Sequence, residues 1–160
     1  SDVCSSDLSM PNEHDTAVSV TLTLPCQFCG TWNRVSTDRV ADRPKCGSCG
    51  KPMLLDRPLA LTDASFARAI AEAGIPVVVD FYADWCGPCR MMAPEMDAFA
   101  AKHLGRVFVA KVDTDRNQAT AGQFGIRSIP TVIKFDGGAK VAEQAGAMRL
   151  PQIEAFAGVG

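Results

Sequence analysis

The 160-residue sequence has no long hydrophobic run, since no uninterrupted apolar stretch approaches the roughly 18 residues of a membrane span. It also has no excess of positive charge, because 16 Lys and Arg residues face 18 Asp and Glu residues, which argues against nucleic-acid binding. Its seven cysteines fall short of the density, roughly 8–10%, of a small scaffold held by disulfides. The length and the 47% hydrophobic fraction instead predict a globular chain of about one domain.

The N-terminal residues show no periodic apolar pattern, so we expect residues 1–16 to be a disordered tail. They also lack the basic segment and apolar stretch of a secretory signal, which predicts a cytoplasmic protein. The opening SDVCSSDL resembles a translated sequencing adapter, so we expect residues 1–9 to be non-native and Met10 to be the start. The odd seventh cysteine, Cys4, is then expected to have no role.

Six of the cysteines form three Cys-x-x-Cys pairs: Cys26/Cys29, Cys46/Cys49 and Cys86/Cys89. The first two pairs have the spacing of zinc sites, and each is followed by a glycine that lets backbone N–H groups approach the sulfurs. Four thiolates suit tetrahedral Zn²⁺ and leave no open position for catalysis. We therefore predict a structural zinc ribbon over residues 17–53, followed by a linker at 54–57. Two redox-active dithiols or a disulfide pair are the alternatives.

Residues 58–160 alternate between strand and helix patterns. The predicted strands are 58–61, 76–82, 106–112, 131–135 and 140–144, and the predicted helices are 63–73, 86–103, 117–125 and 150–156. Thr62 is expected to cap the first helix and Pro94 to kink the second. The Asp-Gly-Gly segment at 136–138 predicts a hairpin turn. The order βαβαβαββα predicts an α/β fold with a mixed central sheet flanked by helices.

The third cysteine pair follows a buried-strand pattern and opens a predicted helix. A helix N-terminus stabilises a thiolate, which is the form of cysteine that attacks disulfides. We predict that Cys86 is the exposed nucleophile and that Cys89, one turn into the helix, is the buried resolving thiol. In the same helix, Met91, Met92 and Met96 have helical spacing and are predicted to pack in the core. His14 and His103 have no cysteine or acid partner in the local pattern and are assigned no role.

The segment VDFYADWCGPCR at 79–90 resembles the active-site segment of the thioredoxin family. The resemblance continues through Pro94, residues 109–113, residues 125–131 and Gly146-Ala147, and it covers roughly residues 58–157. It implies a thioredoxin fold and a protein-disulfide reductase. With the four-cysteine ribbon in front, the chain resembles the zinc-ribbon subfamily called thioredoxin 2 or thioredoxin C. Tyr82 and Asp84 depart from the residues that are common in the family, Trp and Glu.

The resemblance also implies further site residues. Asp80 would relay a proton to or from Cys89, with a pKa raised by burial, and Lys111 would lie near Asp80 and tune it. Pro130 would be a cis proline that faces the dithiol. The implied substrate-binding residues are Trp85, Gly87, Pro88, Ile129, Pro130, Gly146 and Ala147. The implied partners are thioredoxin reductase, which passes on electrons from NADPH, and disulfide-containing proteins; a monomer without nucleic acid, membrane or organic cofactor is expected.

The Gly-Pro dipeptide between the cysteines favours a reductant near about −270 mV over an isomerase or oxidase, whose potentials lie near −180 and −120 mV. A disulfide oxidase or isomerase is the alternative, and a redox titration of the Cys86/Cys89 pair distinguishes it from a reductant. In a second alternative, the ribbon carries the main function. It would be a binding module or chaperone that is activated when oxidation of its cysteines releases zinc. A third, a ribbon that binds nucleic acid, is disfavoured by the net charge of −2.

Overall fold

The computed structural model describes residues 20–159, which contain two β-sheets. The tail predicted at 1–16, including Cys4 and the residues expected to be non-native, lies outside the described residues. Among the residues that are described, no helix combines the length and the apolar character needed to cross a membrane.

The N-terminal sheet is an antiparallel hairpin of β1 (Thr21–Pro25) and β2 (Trp32–Ser36). A 3₁₀ helix, Thr37–Asp42, follows the hairpin. The side chains of Leu22 and Leu24 are buried, as the alternating pattern of this segment predicts. The first cysteine pair lies in the loop of the hairpin and the second follows the 3₁₀ helix, so the chain brings two similar turns to the same end of this small unit.

The larger sheet consists of β3 (Leu59–Ala60), β4 (Val77–Tyr82), β5 (Phe108–Asp113), β6 (Thr131–Asp136) and β7 (Ala139–Ala145). Its strand order is β3-β5-β4-β6-β7, in which β3, β4 and β5 are parallel and β6 and β7 form an antiparallel extension. The helices are α1 (Phe66–Ala71), α2 (Gly87–Lys102), α3 (Gln118–Gln123) and α4 (Leu150–Ala157). This confirms the predicted mixed sheet flanked by helices, including the hairpin turn between β6 and β7.

Three local predictions in this unit are wrong. The first helix begins at Phe66 rather than Asp63, because residues 62–65 form a turn in which the Ser65 and Phe66 amides donate to the Thr62 carbonyl. Ser65 rather than Thr62 therefore occupies the N-cap position. In α2, Met92 and Met96 are buried as predicted, but Met91 is 75% exposed because it lies on the opposite side of the helix. The helix continues through Pro94 to Lys102.

The two faces of the large sheet carry different apolar clusters. One cluster joins α2 and α4 to the sheet through residues such as Met96, Phe99 and Ile153. The other lies on the side of α1, where Phe66, Phe81 and Phe135 pack. This second cluster also contains Leu22, Leu24 and Met53, so the ribbon and the large sheet share one continuous core. Leu55, in the segment predicted to be a linker, packs against the same cluster.

Close backbone contact also holds the ribbon against the larger unit. The Gly74 amide donates to the Thr21 carbonyl at 3.1 Å. A Cβ atom at Gly74 would lie 2.1 Å from Val20 Cγ1 and 2.9 Å from the Thr21 carbonyl oxygen. Only glycine fits between α1 and β1 without moving the backbone.

We predict that Gly74→Ala lowers the free energy of unfolding by about 1–3 kcal/mol, because the new methyl group overpacks the contact with the ribbon. The matched control is Gly122→Ala in α3, where a Cβ would meet nothing within 4 Å. The control is expected to leave stability unchanged or to raise it by about 0.5–1 kcal/mol through helix propensity. Urea unfolding of the full chain measures both, and equal stability of the two variants would contradict the described contact.

Candidate active site and metal centre

The third cysteine pair lies at the junction of β4 and α2. Cys86 is the N-cap residue of α2 with extended backbone angles, and Gly87 and Pro88 form the first turn. Proline is well suited to this turn because the first amides of a helix have no intrahelical partner. Cys86 and Cys89 are joined as a disulfide, and the Cys89 amide donates to Cys86 Sγ at 3.2 Å. The Cys86 sulfur thus receives a hydrogen bond from the helix N-terminus.

The predicted exposure of Cys86 is wrong. Cys86 and Cys89 are each only 3% exposed. Ala83, Tyr82 and Ile129 pack around the two sulfurs, and Cys86 Sγ lies 3.7 Å from the Ile129 carbonyl oxygen. Residues 43 positions apart meet here, so the local sequence pattern could not show that the first cysteine is covered.

The loop that covers the dithiol contains the cis peptide bond expected at Pro130, between Ile129 and Pro130. The Gly146 amide donates to the Pro130 carbonyl at 2.8 Å, which brings the end of β7 next to this loop. Trp85 is 66% exposed, and its Nε1 donates to Asp115 Oδ2 at 2.8 Å. Ala147 instead lines a cavity of about 400 Å³ together with Met91, Met92 and Met148.

A carboxylate lies behind the dithiol in the middle of β4. Asp80 is 5% exposed, and its Oδ1 has no hydrogen-bond partner among residues 20–159. Burial raises the pKa of Asp80 to about 7, against the opposing charge of Lys111. Lys111 is the register partner of Asp80 on β5. A buried carboxyl group of this kind can gain or lose a proton near neutral pH.

Asp80, Lys111 and Cys89 share a cavity of about 270 Å³, which we call the relay cavity. Its wall also includes Pro58 from the segment before β3 and Arg90 from α2. The Lys111 ammonium lies 5.6 Å from the centre of the Tyr82 ring. The structure therefore brings together the sequence-predicted residues Asp80, Lys111 and Cys89.

The four ribbon cysteines form a compact cluster in which all sulfurs lie within 4.8 Å of one another. Cys26 Sγ is 3.7 Å from Cys49 Sγ, and Cys29 Sγ is 3.6 Å from Cys46 Sγ. A tetrahedral Zn²⁺ site with Zn–S bonds of about 2.3 Å places its sulfurs about 3.8 Å apart. The donor set and its spacing fit this metal.

The two cysteine turns have the same hydrogen-bond pattern. In the first turn, the Gly30 amide donates to the Cys26 carbonyl at 3.0 Å and the Phe28 amide donates to Cys26 Sγ at 3.3 Å. In the second turn, Gly50 and Ser48 make the same bonds to Cys46 at 3.0 and 3.4 Å. Both glycines have positive φ, 78° and 75°, which confirms that these positions favour glycine.

The electrostatics of the cluster favour a bound cation. Hydrogen bonds from the Cys49 backbone amide and the Asn33 side chain lower the pKa of Cys46 to about 6. The Lys51 amide lowers the pKa of Cys49, but burial and the three neighbouring cysteines outweigh it and raise that pKa to about 11. Four thiolates cannot ionise together at this distance without a positive charge between them.

The mixed sheet, the dithiol at the start of α2 and the buried carboxyl group define a thiol-disulfide oxidoreductase. The family model described as Thioredoxin matches residues 57–158, and the model described as Thioredoxin 2, N-terminal, matches residues 25–51. The chain belongs to the thioredoxin family, with an N-terminal zinc-ribbon domain, and it is a protein-disulfide reductase.

Individual relatives agree with this assignment. Thioredoxin C-3 of Corynebacterium nephridii is 38% identical over 129 residues, which cover 81% of this chain and 88% of that protein. Thioredoxin of Alicyclobacillus acidocaldarius is 52% identical over 97 residues, or 61% of this chain and 91% of that protein. A solved mutant thioredoxin from Halobacterium salinarum NRC-1 superposes with a TM-score of 0.58 at 33% identity, covering 64% of this chain and 93% of that structure.

Two contacts went undetected in the sequence. Asp115 holds the exposed Trp85 ring from 30 positions away, and no local pattern marks it. His103 is fully buried, and its Nε2 lies 2.7 Å from Glu154 Oε2 on α4, so the expectation that it lacks an acid partner holds only for the local sequence. Nδ1 of the same ring accepts a hydrogen bond from Arg106 at 2.8 Å. This histidine joins the end of α2 to α4.

We predict that Asp80→Asn stabilises the protein at alkaline pH. The folded-state pKa is raised, so the contribution of Asp80 to the free energy of unfolding falls as pH rises from about 4 to about 7 and is constant above that range. A shift of about three pKa units corresponds to a stabilisation by the variant of up to about 4 kcal/mol at pH 8, which vanishes near pH 4. Urea unfolding at both pH values measures it.

The matched control is Asp97→Asn, since Asp97 is an exposed residue of the same cavity. Its effect on stability is expected to stay within about 0.5 kcal/mol at both pH values. A stability difference between Asp80→Asn and wild type that does not depend on pH would contradict a raised pKa of Asp80.

Proposed function

We propose that Cys86 is the nucleophile of the reductase and Cys89 the resolving thiol. The Cys86 thiolate attacks one sulfur of the substrate disulfide, forms a mixed disulfide and releases the other substrate sulfur as a thiolate, which takes up a proton. Cys89 then attacks Cys86 Sγ, so that the Cys86–Cys89 disulfide forms and the substrate leaves as a dithiol. The substrate gains two electrons and the protein loses two. The position of Cys86 at the N-cap of α2 carries this proposal.

Asp80 serves as the proton acceptor for Cys89 in the resolving step. Both residues line the relay cavity, whose volume of about 270 Å³ has room for a bridging water molecule. The raised pKa of Asp80 suits this task because the group changes its protonation state near neutral pH. Lys111 acts as a positioning residue, since its charge opposes the effect of burial on Asp80.

The substrate chain docks in extended form beside the dithiol. The backbone of Ile129 lies next to Cys86, and the hydrogen bond between Gly146 and Pro130 fixes a second wall of the same surface. Around the dithiol, Trp85, Gly87 and Pro88 are exposed and offer apolar contact area. Ala147 extends this surface toward the cavity lined by Met91 and Met148.

The ribbon holds a structural Zn²⁺ through Cys26, Cys29, Cys46 and Cys49. All four ligand positions are occupied by protein sulfurs, so the metal supplies folding energy and has no open position for a substrate. We assign the ribbon to residues 17–53 and the thioredoxin domain to residues 58–160. The family segment at 25–51 lies within the ribbon bounds, and the segment at 57–158 begins one residue before the thioredoxin-domain bound.

The electron donor is thioredoxin reductase, which draws on NADPH, and the acceptors are protein disulfides. The family assignment supports both partners, since thioredoxins generally act between such a reductase and their substrates. The protein acts as a cytoplasmic monomer and binds no organic cofactor itself. Retention of the Cys86–Cys89 pair as a dithiol requires the reducing environment of that compartment.

We predict that Cys86→Ser abolishes the reduction of a protein disulfide such as that of insulin, because serine cannot form the mixed disulfide. Cys89→Ser is expected to retain the first attack but to accumulate the mixed disulfide, which mass spectrometry detects as a covalent adduct. Turnover by Cys86→Ser at the wild-type rate would overturn the assignment. A redox midpoint of the wild-type pair nearer −180 mV than about −270 mV would indicate an isomerase instead.

We predict one zinc per chain by elemental analysis and none in Cys46→Ser, because three thiolates and a hydroxyl form an incomplete site. The melting temperature of this variant is expected to fall, since the ribbon shares its core with the large sheet. The matched control is Cys89→Ser, which changes a cysteine outside the ribbon cluster and is expected to keep the metal. Full zinc content in Cys46→Ser would contradict the four-ligand site.

A further inference from the structure

A second cavity, of about 600 Å³, opens between the ribbon and the thioredoxin domain, and we call it the ribbon cleft. The ribbon contributes Pro25, Cys26, Gln27, Gly30 and Trp32 to its wall. The other wall includes Arg57, Pro58, Thr62, Ser65 and Lys111. Sites for small molecules have volumes of roughly 300–1,000 Å³, so the cleft has the size of a ligand site.

Apart from the proposed zinc ligand Cys26, the charged side chains in the wall of the cleft are positive. Arg57 and Lys111 are cationic, and none of the described residues that line the cleft is acidic. Arg57 contacts the neighbouring Asp56 at 3.1 Å, but both side chains are about half exposed, at 54% and 46%. Such an exposed ion pair contributes little to stability, so Arg57 can turn to a new partner. Asp80 neutralises the charge of Lys111 only in part, because the raised pKa of Asp80 leaves its carboxyl group partly protonated near pH 7.

The remaining wall of the cleft is largely apolar. Pro25, Pro58 and the Trp32 ring provide apolar surfaces, although the Arg68 guanidinium covers one face of that ring at 4.3 Å from its centre. The polar groups of the wall are already bonded, since the Leu54 amide donates to the Gln27 side chain and the Thr62 amide donates to the Ser65 hydroxyl. The groups that remain available to a ligand are therefore the cations Arg57 and Lys111 and the apolar surface of the wall. This combination matches a ligand with one negative group and a flat apolar body.

We propose that the ribbon cleft binds a small organic carboxylate. Its carboxylate pairs with Arg57 and Lys111, and its apolar body packs against Trp32 and the two prolines. The site is separate from the dithiol surface, since neither cysteine of the Cys86–Cys89 pair lines the cleft.

The cleft is linked to the dithiol by shared residues. Lys111 and Pro58 line both the ribbon cleft and the relay cavity, which also contains Asp80 and Cys89. A bound carboxylate that pairs with Lys111 reduces the electrostatic stabilisation of the ionised Asp80 by this ammonium group. The ionised fraction of Asp80 at neutral pH then falls. Occupancy of the cleft then slows the resolving step. This second part rests on the role proposed for Asp80, whereas binding itself does not.

The binding test uses 1-naphthoate and the zinc-loaded full chain, followed by two-dimensional NMR. We expect saturable shifts of the Trp32 indole N–H and of the Thr62 and Ser65 amides, with a dissociation constant below about 1 mM. Arg57→Gln is expected to weaken binding at least tenfold. Arg39→Gln is the matched control and is expected to bind as wild type, because Arg39 is also exposed and paired with a nearby aspartate, Asp42, but does not line the cleft.

Three results would overturn the proposed site. The first is the absence of shifts at several millimolar 1-naphthoate. The second is a set of shifts confined to Trp85 and Ile129, which would place the probe on the substrate surface. The third is equal affinity for the neutral 1-naphthamide, which would show that the cations play no part.

The coupling test measures the rate of disulfide reduction with and without 1-naphthoate. We expect at least a twofold slower rate at pH 7, an effect that shrinks at pH 9, where Asp80 is ionised in both states, and no slowing of Arg57→Gln. Arg57→Gln is expected to keep the wild-type rate without the probe. Equal slowing of this variant, or binding without any change in rate, would overturn the coupling. A wild-type protein that lacks reductase activity without the probe would contradict the proposed function instead.

Discussion

Burial of β4 on both faces is the constraint on which the rest of the structure depends. Val78 packs toward α2 and α4, and Val79 packs toward α1 and the ribbon, so the strand lies between two apolar clusters. A strand held in this way fixes two chemical groups at once. It places Asp80 where water does not reach its Oδ1, and it delivers Cys86 to the start of α2. The raised pKa of the carboxyl group and the position of the dithiol thus have the same origin.

The ribbon extends this core. A unit of about forty residues cannot bury enough apolar surface to fold alone, and a metal or a neighbouring domain must make up the difference. Here both are available: four cysteines at the spacing of a tetrahedral site, and a face of leucines that joins the cluster around Phe66. The contact at Gly74 shows that the two units meet at backbone distance. The ribbon is therefore part of the hydrophobic structure of the thioredoxin domain as well as a separate sequence motif.

Lys111 occupies an unusual place in this arrangement, because it separates two cavities with different surroundings. On one side it faces Asp80 and Cys89, and on the other it faces the cleft under the ribbon. A single ammonium group can respond to charge from either side. The ribbon thereby creates a surface beside the relay cavity, since Pro25, Gln27 and Trp32 form one wall of the cleft.

The sequence by itself determined the cysteine spacing, the order of strands and helices, the dithiol at the start of a helix and the fit of four thiols to zinc, because these follow from neighbouring residues and local periodicity. Tertiary structure decided the rest. The cover over Cys86 and the contact of Trp85 with Asp115 join residues 43 and 30 positions apart. The proximity of Asp80 to Lys111 followed from the family resemblance and not from any local pattern. The packing of the ribbon against Phe66 and Gly74 depends on side-chain shape across two units, which no periodic pattern encodes.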